Sequence, residues 1–352
     1  MAEKMRTLSV TDVGKLDLIM ADRPSPRGDE VLIRVAYCGI CGSDFPRYFN
    51  GGVHNFPQVL GHEFSGTVVE LGDQVDKSLQ GRRVAVAPLV PCQECEQCLQ
   101  GYSALCTAYS FIGSRQQGAL ADYVAVPARN CIPIPDTMSL KEAALVEPAS
   151  IALHALSLIE DIEQVDAAVL GSGVIGLIAT MALKARGASS VTCIDISEEK
   201  LARAQRCGAD HIVINRGDNL TEHYAKVDDP QLCIEIAGFP QTQRQAITIC
   251  GRKGHVVLVG TGHGAVEFSN EEFETILRRE LTIKGSWMSY SAPFPGQEWI
   301  DAVEMIASRR LNVEMLISNL YSLEDGPRPF IDSVESGGAM LKPLYEIGGE
   351  ES

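Results

Sequence analysis

The segment Gly171-Ser172-Gly173-Val174-Ile175-Gly176 fits G-x-G-x-x-G, and its flanks restrict the fold more than any other part of the chain. The apolar run AAVLG leads into it and GVIGLIATMALKARG leads out. A buried strand that turns on glycines into a helix is the opening of a dinucleotide-binding unit. The first glycine permits the tight turn, the second lets a pyrophosphate approach the backbone, and the third lets helix and strand pack closely. The pyrophosphate is then expected at the positive helix end, over Val174 and Ile175. Asp195 ends the next strand, SVTCID, 24 residues after Gly171. An acid there bonds ribose hydroxyls and repels a 2′-phosphate, which favours NAD over NADP. Lys200 is assigned to the same cofactor site.

The pattern continues as Ser197 capping EEKLARAQRCG, then HIVIN, QLCIEIAG, HVVLVG and LTIKGSW as further strands. Short buried strands joined by crossovers predict a doubly wound parallel sheet. Before about residue 150 the texture differs. VLIRVAYCG, TVVELG, RRVAVAPLV and DYVAVPARN read as strands among glycines and prolines, which predicts a mostly β domain. Two domains suit the 352 residues. The net charge of −16 argues against a nucleic-acid partner, which calls for a basic face. An anionic substrate would have to be met by local cations. No run approaches the roughly 18 apolar residues of a membrane span, and MAEKMRTLSV has no signal core. The chain is expected to be cytoplasmic.

Such a compartment keeps thiols reduced, so the eleven cysteines argue against disulfides. Cys92, Cys95, Cys98 and Cys106 cluster in PCQECEQCLQGYSALC. The iron–sulfur run C-x2-C-x2-C-x3-C-P is a near match, but the last spacing is seven and no proline follows Cys106. Four thiolates in a short loop, with Gly101 at the turn, suit a closed structural zinc. An open site needs fewer protein ligands. Cys41 in GICGSD and His62 in GHEFSG can supply two, and Glu63 or Glu147 a third. Spacing does not choose between the carboxylates. Cys38 and Cys41 also form C-x-x-C, so a redox pair is a rival reading.

GICGSD, LGHEFSG, the four-cysteine lobe, LVEPASIALHAL and VLGSGVIGL occur here in the order in which zinc-dependent medium-chain alcohol and polyol dehydrogenases carry them. The chain resembles that family over nearly its whole length. The resemblance implies an α/β protein: a GroES-like, mostly β catalytic domain over 1–152 and 290–352, with the zinc lobe at about 91–107. A Rossmann NAD-binding domain is implied over 153–289. It implies two zinc ions per chain, one catalytic on Cys41, His62 and Glu147 and one structural on Cys92, Cys95, Cys98 and Cys106. Glu63 becomes a neighbour of the catalytic ion or a transient ligand. It further implies NAD as cofactor and a homodimer or homotetramer.

Zinc acts on a hydroxyl as a Lewis acid, and the nicotinamide accepts the hydride. Ser43 matches the family position that takes the hydroxyl proton. Pro46 stands where many relatives place a relay histidine, so the exit is expected through water, Glu147 or Glu63. CGSDFPRYFNGGVHNFPQVLGHEFSG, FIGSRQQGALADY and GSWMSYSAPFPGQEW resemble the branch acting on hexitol phosphates, in which galactitol 1-phosphate becomes tagatose 6-phosphate. An unphosphorylated polyol such as sorbitol, or a pentitol phosphate, is the alternative substrate; a non-catalytic NAD-binding protein is the alternative outside enzymes. Arg47, Arg115 and Lys342 are candidate phosphate partners. Ser114, Trp287, Tyr290 and Glu298 are candidates for the polyol cleft.

Overall fold

The computed structural model describes residues 3–217, 219–224 and 226–350. It divides into two compact units. The first runs to Pro148 and resumes over Tyr290–Ser308 and from Val313 onward; the second comprises Ala149–Ser289 and Arg309–Asn312. The first division falls inside the helix Val146–Ser157, four residues before the expected end at 152, and Arg309–Asn312 joins the second unit.

Among the described residues the first unit holds, besides the two-stranded pair Leu89–Val90 with Ser110–Phe111, two larger sheets. One holds Lys15–Asp22, Lys4–Asp12 and Gln58–Val59. The other has seven strands, and Glu30–Gly39 lies at its centre. Glu63–Leu71, Tyr123–Pro127 and Lys342–Glu346 all pair with this strand, antiparallel. A strand with neighbours on both edges and a core on its faces reads as near-continuous apolar sequence, and VLI and VAYCG here are buried. Between the layers lies a core that includes Leu8, Ile33, Val35, Phe64, Val68, Phe330 and Tyr345, each under 2% exposed.

The register of the central strand gathers distant residues at its carboxyl end. Gly39 faces Glu63 on one side and Leu344 on the other. Residues from three separate parts of the sequence therefore meet where the strand ends and the chain runs on through Ile40 and Cys41.

The second unit contains a six-stranded sheet. Its spatial order is His211–Ile214, Ser190–Asp195, Asp166–Leu170, Leu232–Glu235, His255–Leu258, Thr282–Gly285, and every pair is parallel. In chain order this is 3-2-1-4-5-6, the doubly wound arrangement, with a ligand crevice at the carboxyl ends of the strands where the order reverses. The expected parallel sheet is thus present. Among the described residues no helix is long and apolar enough to cross a membrane.

Candidate metal centres and cofactor site

Cys41 follows the central strand and precedes the short helix Asp44–Phe49, while His62 and Glu63 lead into the neighbouring strand. Donor atoms of Cys41, His62 and Glu63 lie within 4.8 Å of one another. Asp44, which sequence reasoning missed, ties this group together. It is buried; its Oδ2 accepts the Cys41 N–H at 3.2 Å, and its Oδ1 faces His62 Nδ1 at 3.6 Å. The signal available in the sequence was an acid three residues after a candidate thiolate ligand. Phe111 closes the other side of His62, with ring centroids 5.6 Å apart.

The charge balance here is unusual. Burial pushes the Cys41 thiol up to about 11, and Glu63 adds to the effect. Burial, then Glu63, pushes Glu147 up to about 8, against an opposing pull from His62 and Lys342. Glu147 therefore lies close enough to feel the whole group, although it is not one of the three tightly clustered donors. Among the described residues the buried His62 Nδ1 has no hydrogen-bond partner. Crowded acidic groups beside a buried thiol and imidazole fit a cation, and a thiolate, an imidazole and a carboxylate form a donor set for zinc with a position left open. Cys38 is fully buried and its sulfur faces the Gly39 carbonyl.

In the second cluster all four cysteines are free thiols whose sulfurs lie within 4.8 Å of one another. Cys92 Sγ is 3.4 Å from Cys106 Sγ and 3.9 Å from Cys98 Sγ. Bonds of about 2.3 Å to a tetrahedral zinc put sulfurs about 3.8 Å apart, so the set fits that ion. The backbone prepares the site. The Cys92 N–H donates to Cys106 Sγ at 3.3 Å and the Cys95 N–H to Cys92 Sγ at 3.4 Å. Gly101 turns the chain at φ +85°, where an added Cβ would also meet the Ala292 side chain at 2.7 Å.

In the second unit Gly171 turns at φ +107° into the helix Val174–Ala185, whose first N–H groups belong to Val174 and Ile175. A Cβ on Gly176 would collide with the Gly171 carbonyl oxygen, so that glycine is required by packing. A Cβ on Gly173 would meet nothing within 4 Å, which is the open approach a pyrophosphate needs. Gly171, Gly173, Asp195, Lys200, Ala237 and Phe239 line a cavity of about 250 Å³. Asp195 is fixed by two backbone donors, Ser172 N–H at 2.8 Å and Ser197 N–H at 2.9 Å. The carboxylate is thus aimed before any nucleotide arrives.

Residues 27–136 match the alcohol dehydrogenase GroES-like domain, and residues 174–308 match the zinc-binding dehydrogenase family. Galactitol 1-phosphate 5-dehydrogenase of Escherichia coli K12 is 42% identical over 299 residues, 84% of this chain and 86% of that one. The chain belongs to the zinc-binding medium-chain dehydrogenases. The crystal structure of galactitol-1-phosphate dehydrogenase from E. coli superposes on this dehydrogenase with a TM-score of 0.91 at 37% identity, covering 97% of this chain and all of that one. An alcohol dehydrogenase from E. coli CFT073, solved with NADH, gives 0.90 at 28% identity over 98% of this chain and all of that one. Sorbitol dehydrogenase of Bombyx mori is 31% identical over 90% of this chain and 91% of its own.

The remaining expected residues of this dehydrogenase fall into two groups. Ser43 and Arg47 join the first metal centre through Asp44, and Ser114 and Arg115 follow Phe111, the ring against His62. Ser43 is exposed, and its Oγ accepts from Arg47 Nη1 at 3.0 Å. The same Nη1 donates to Asp44 Oδ1 at 2.8 Å. Ser114 is buried in the turn after Phe111, and exposed Arg115 lies over the Tyr109 ring at 4.1 Å. Three other expectations are corrected. Lys342 is 4% exposed and bonded to Glu63, so it is no free phosphate anchor; a buried ammonium takes the nearest carboxylate. Tyr290 is buried between Phe294 and Trp299, and its hydroxyl accepts the Leu89 N–H at 3.1 Å, which makes it core. Glu298 accepts from the Ser291 backbone and hydroxyl and so closes its own helix entry. Trp287 lies in the second unit, 54% exposed.

Proposed function

We propose that this dehydrogenase oxidises a secondary hydroxyl of a sugar-alcohol phosphate with NAD+, converting galactitol 1-phosphate to tagatose 6-phosphate. The observation that supports this substrate is the 42% identity over 84% of the chain to the E. coli enzyme of that name, against 31% to a sorbitol dehydrogenase. In this reading Cys41, His62 and Glu147 hold the catalytic zinc and the four-cysteine lobe holds the structural one. Three protein ligands leave room for a hydroxyl, whereas four do not. When bound, zinc supplies Lewis acidity toward that hydroxyl, and NAD+ takes up the hydride from its carbon.

The chain's own residues then orient and move a proton. Asp44 holds the Cys41 backbone and faces the His62 ring, fixing both ligands. Ser43 Oγ takes the substrate hydroxyl proton as it gives up its own to water. The Arg47 donor on its Oγ favours negative character there. Because Ser43 is exposed, the proton passes to bulk water without the side chain that Pro46 lacks. Arg47 and Arg115 meet the phosphate; Arg47 spends only Nη1 on Ser43 and Asp44 among the described residues. Asp195 selects NAD over NADP at the adenosine ribose, and Lys200 lines the same cavity. The protein works in the cytoplasm as a homodimer or homotetramer.

The test is NADH formation from galactitol 1-phosphate, galactitol, sorbitol and pentitol phosphates, with and without a chelator. Galactitol 1-phosphate should give the highest kcat/KM, and chelation should abolish it. Equal use of galactitol or sorbitol would rule out the phosphate reading. Ser43→Ala should turn over slowly at neutral pH; a near-normal rate excludes Ser43 from the proton path.

A further inference from the structure

A cleft of about 360 Å³ opens in the first unit, and none of the residues assigned above to a metal, the cofactor or the substrate lines it. Small-molecule sites run from roughly 300 to 1,000 Å³. Strand register builds one wall. Met5, Thr7 and Ser9 alternate onto one face of Lys4–Asp12, beside Ala21, Ile19 and Val59 on the neighbouring strands. Residues 116–118 and 123–125 help complete the cleft. Its walls are braced from within. Gln117 Oε1 accepts the Val59 N–H at 2.6 Å, and its Nε2 donates to the Pro57 carbonyl at 3.2 Å. Gln58 Nε2 donates to the Gln116 carbonyl at 2.9 Å. These bonds hold the cleft in shape without an occupant.

The lining selects by chemistry. Among the described residues no lysine or arginine lines the cleft, so a phosphate finds no cation there. Its one acid, Asp22, is paired with Lys4 at 2.7 Å. Met5, Ile19, Pro24, Pro57, Val59 and Val124 offer an apolar surface. Thr7 and Ser9 are its buried hydroxyls, 2% and 1% exposed. Each has a single proton to give. Thr7 Oγ1 donates to the Ile19 carbonyl at 3.3 Å, so its proton is used. Ser9 Oγ lies 3.3 Å from Thr7 Oγ1 and is therefore the donor of that pair. Ser9 keeps lone pairs and has no proton left. A ligand that bonds Ser9 must bring the donor itself.

We propose that this cleft is a second ligand site, which takes a small apolar ring bearing one O–H or N–H donor, a phenol or an indole, bonded to Ser9 Oγ. Such molecules combine a large apolar body with one polar handle. The body covers the apolar wall, and the handle meets the one buried acceptor that the wall leaves open. A polyol phosphate does neither, so the site is separate from the one that serves the reaction.

The test is isothermal titration of the intact enzyme with p-cresol and with 4-methylanisole, which has the same ring with its hydroxyl methylated. The parent should bind p-cresol saturably at a single site per chain. It should bind the anisole about three- to tenfold more weakly, the worth of one hydrogen bond. Ser9→Ala should bind p-cresol as weakly as the parent binds the anisole, with anisole binding unchanged. Ala21→Phe places a ring in the cleft from a half-buried strand position and should abolish binding of both. Retained NADH binding shows that this variant is folded; if it is not, Ser9→Ala with the two ligands decides alone. Binding of p-cresol that survives in folded Ala21→Phe lies elsewhere and overturns the proposal. So do equal affinities for the two ligands in the parent, or the absence of saturable binding. No substrate enters these measurements, so they stand apart from the outcome of the substrate panel.

Discussion

His62 Nδ1 lies 3.6 Å from Asp44 Oδ1 and has no hydrogen-bond partner among the described residues. The same carboxylate receives the Cys41 N–H and the Arg47 guanidinium. One buried acid thus touches the backbone of one proposed ligand and faces the ring of another. Carboxylates behind a ligating histidine fix its ring and tautomer, and losing them costs about 10–100-fold in metal affinity or activity. Asp44→Asn should lower zinc affinity at this centre within that range while leaving the cysteine lobe loaded. Zinc titration with a competing chelator measures it, and an unchanged affinity would mean the ligands are held by other contacts.

Cys98→Ser breaks the four-sulfur set in which Cys92 and Cys98 stand 3.9 Å apart. The free energy of binding a structural zinc is folding free energy, so the substitution should remove one zinc per chain and lower the melting temperature. A loss of about 3 kcal/mol corresponds to roughly 6–12 °C for a unit of this size. Elemental analysis and calorimetry report both. A Cys98→Ser protein that keeps both ions and its melting temperature but loses turnover would reverse the roles assigned to the two centres.

Asp195 offers its carboxylate to the cofactor cavity from a fixed position. Hydrogen bonds to a charged group contribute about 1.5–3 kcal/mol, so Asp195→Ala should weaken NADH binding by roughly 10–100-fold. NADPH binding should fall less or improve, because the repulsion of a 2′-phosphate goes with the acid. Fluorescence titration with both nucleotides gives the ratio. A parallel loss for both would remove Asp195 as the selector.

Gly173 and Gly176 separate binding from folding within one motif. Gly173 faces open space, while Gly176 abuts the Gly171 carbonyl. Gly173→Ala should leave the melting temperature unchanged and weaken NADH binding, because the methyl stands where the pyrophosphate approaches. Gly176→Ala should lower the melting temperature, because helix and turn must part. Equal thermal losses in the two variants would contradict this division of labour.

The glycine motif, the strands around it and the four-cysteine lobe were legible because each is local. A dinucleotide turn and a metal loop complete themselves within a dozen or so neighbouring residues, so spacing alone carries the geometry. Cys41 and His62 were legible as donor types at a plausible separation. The third carboxylate was not, since both Glu63 and Glu147 approach the group and only tertiary placement tells them apart: Glu63 lies in the tight donor cluster and bonds Lys342. Tyr290 and Glu298 looked like cleft residues in the distinctive stretch around them, but burial made one a core ring and the other a helix-entry cap.

The sequence by itself determined the two kinds of domain, the turn that receives a dinucleotide and the four thiolates that can close on an ion. Those features depend on backbone freedom, hydrophobic period and donor spacing, which act over short stretches. Tertiary structure alone decided that Lys342 serves Glu63 and not a phosphate, and that Asp44 braces both Cys41 and His62. Both outcomes come from strand register and burial. Register brings together residues hundreds of positions apart, and burial obliges every charge so enclosed to find a counter-charge among whatever the register has placed beside it.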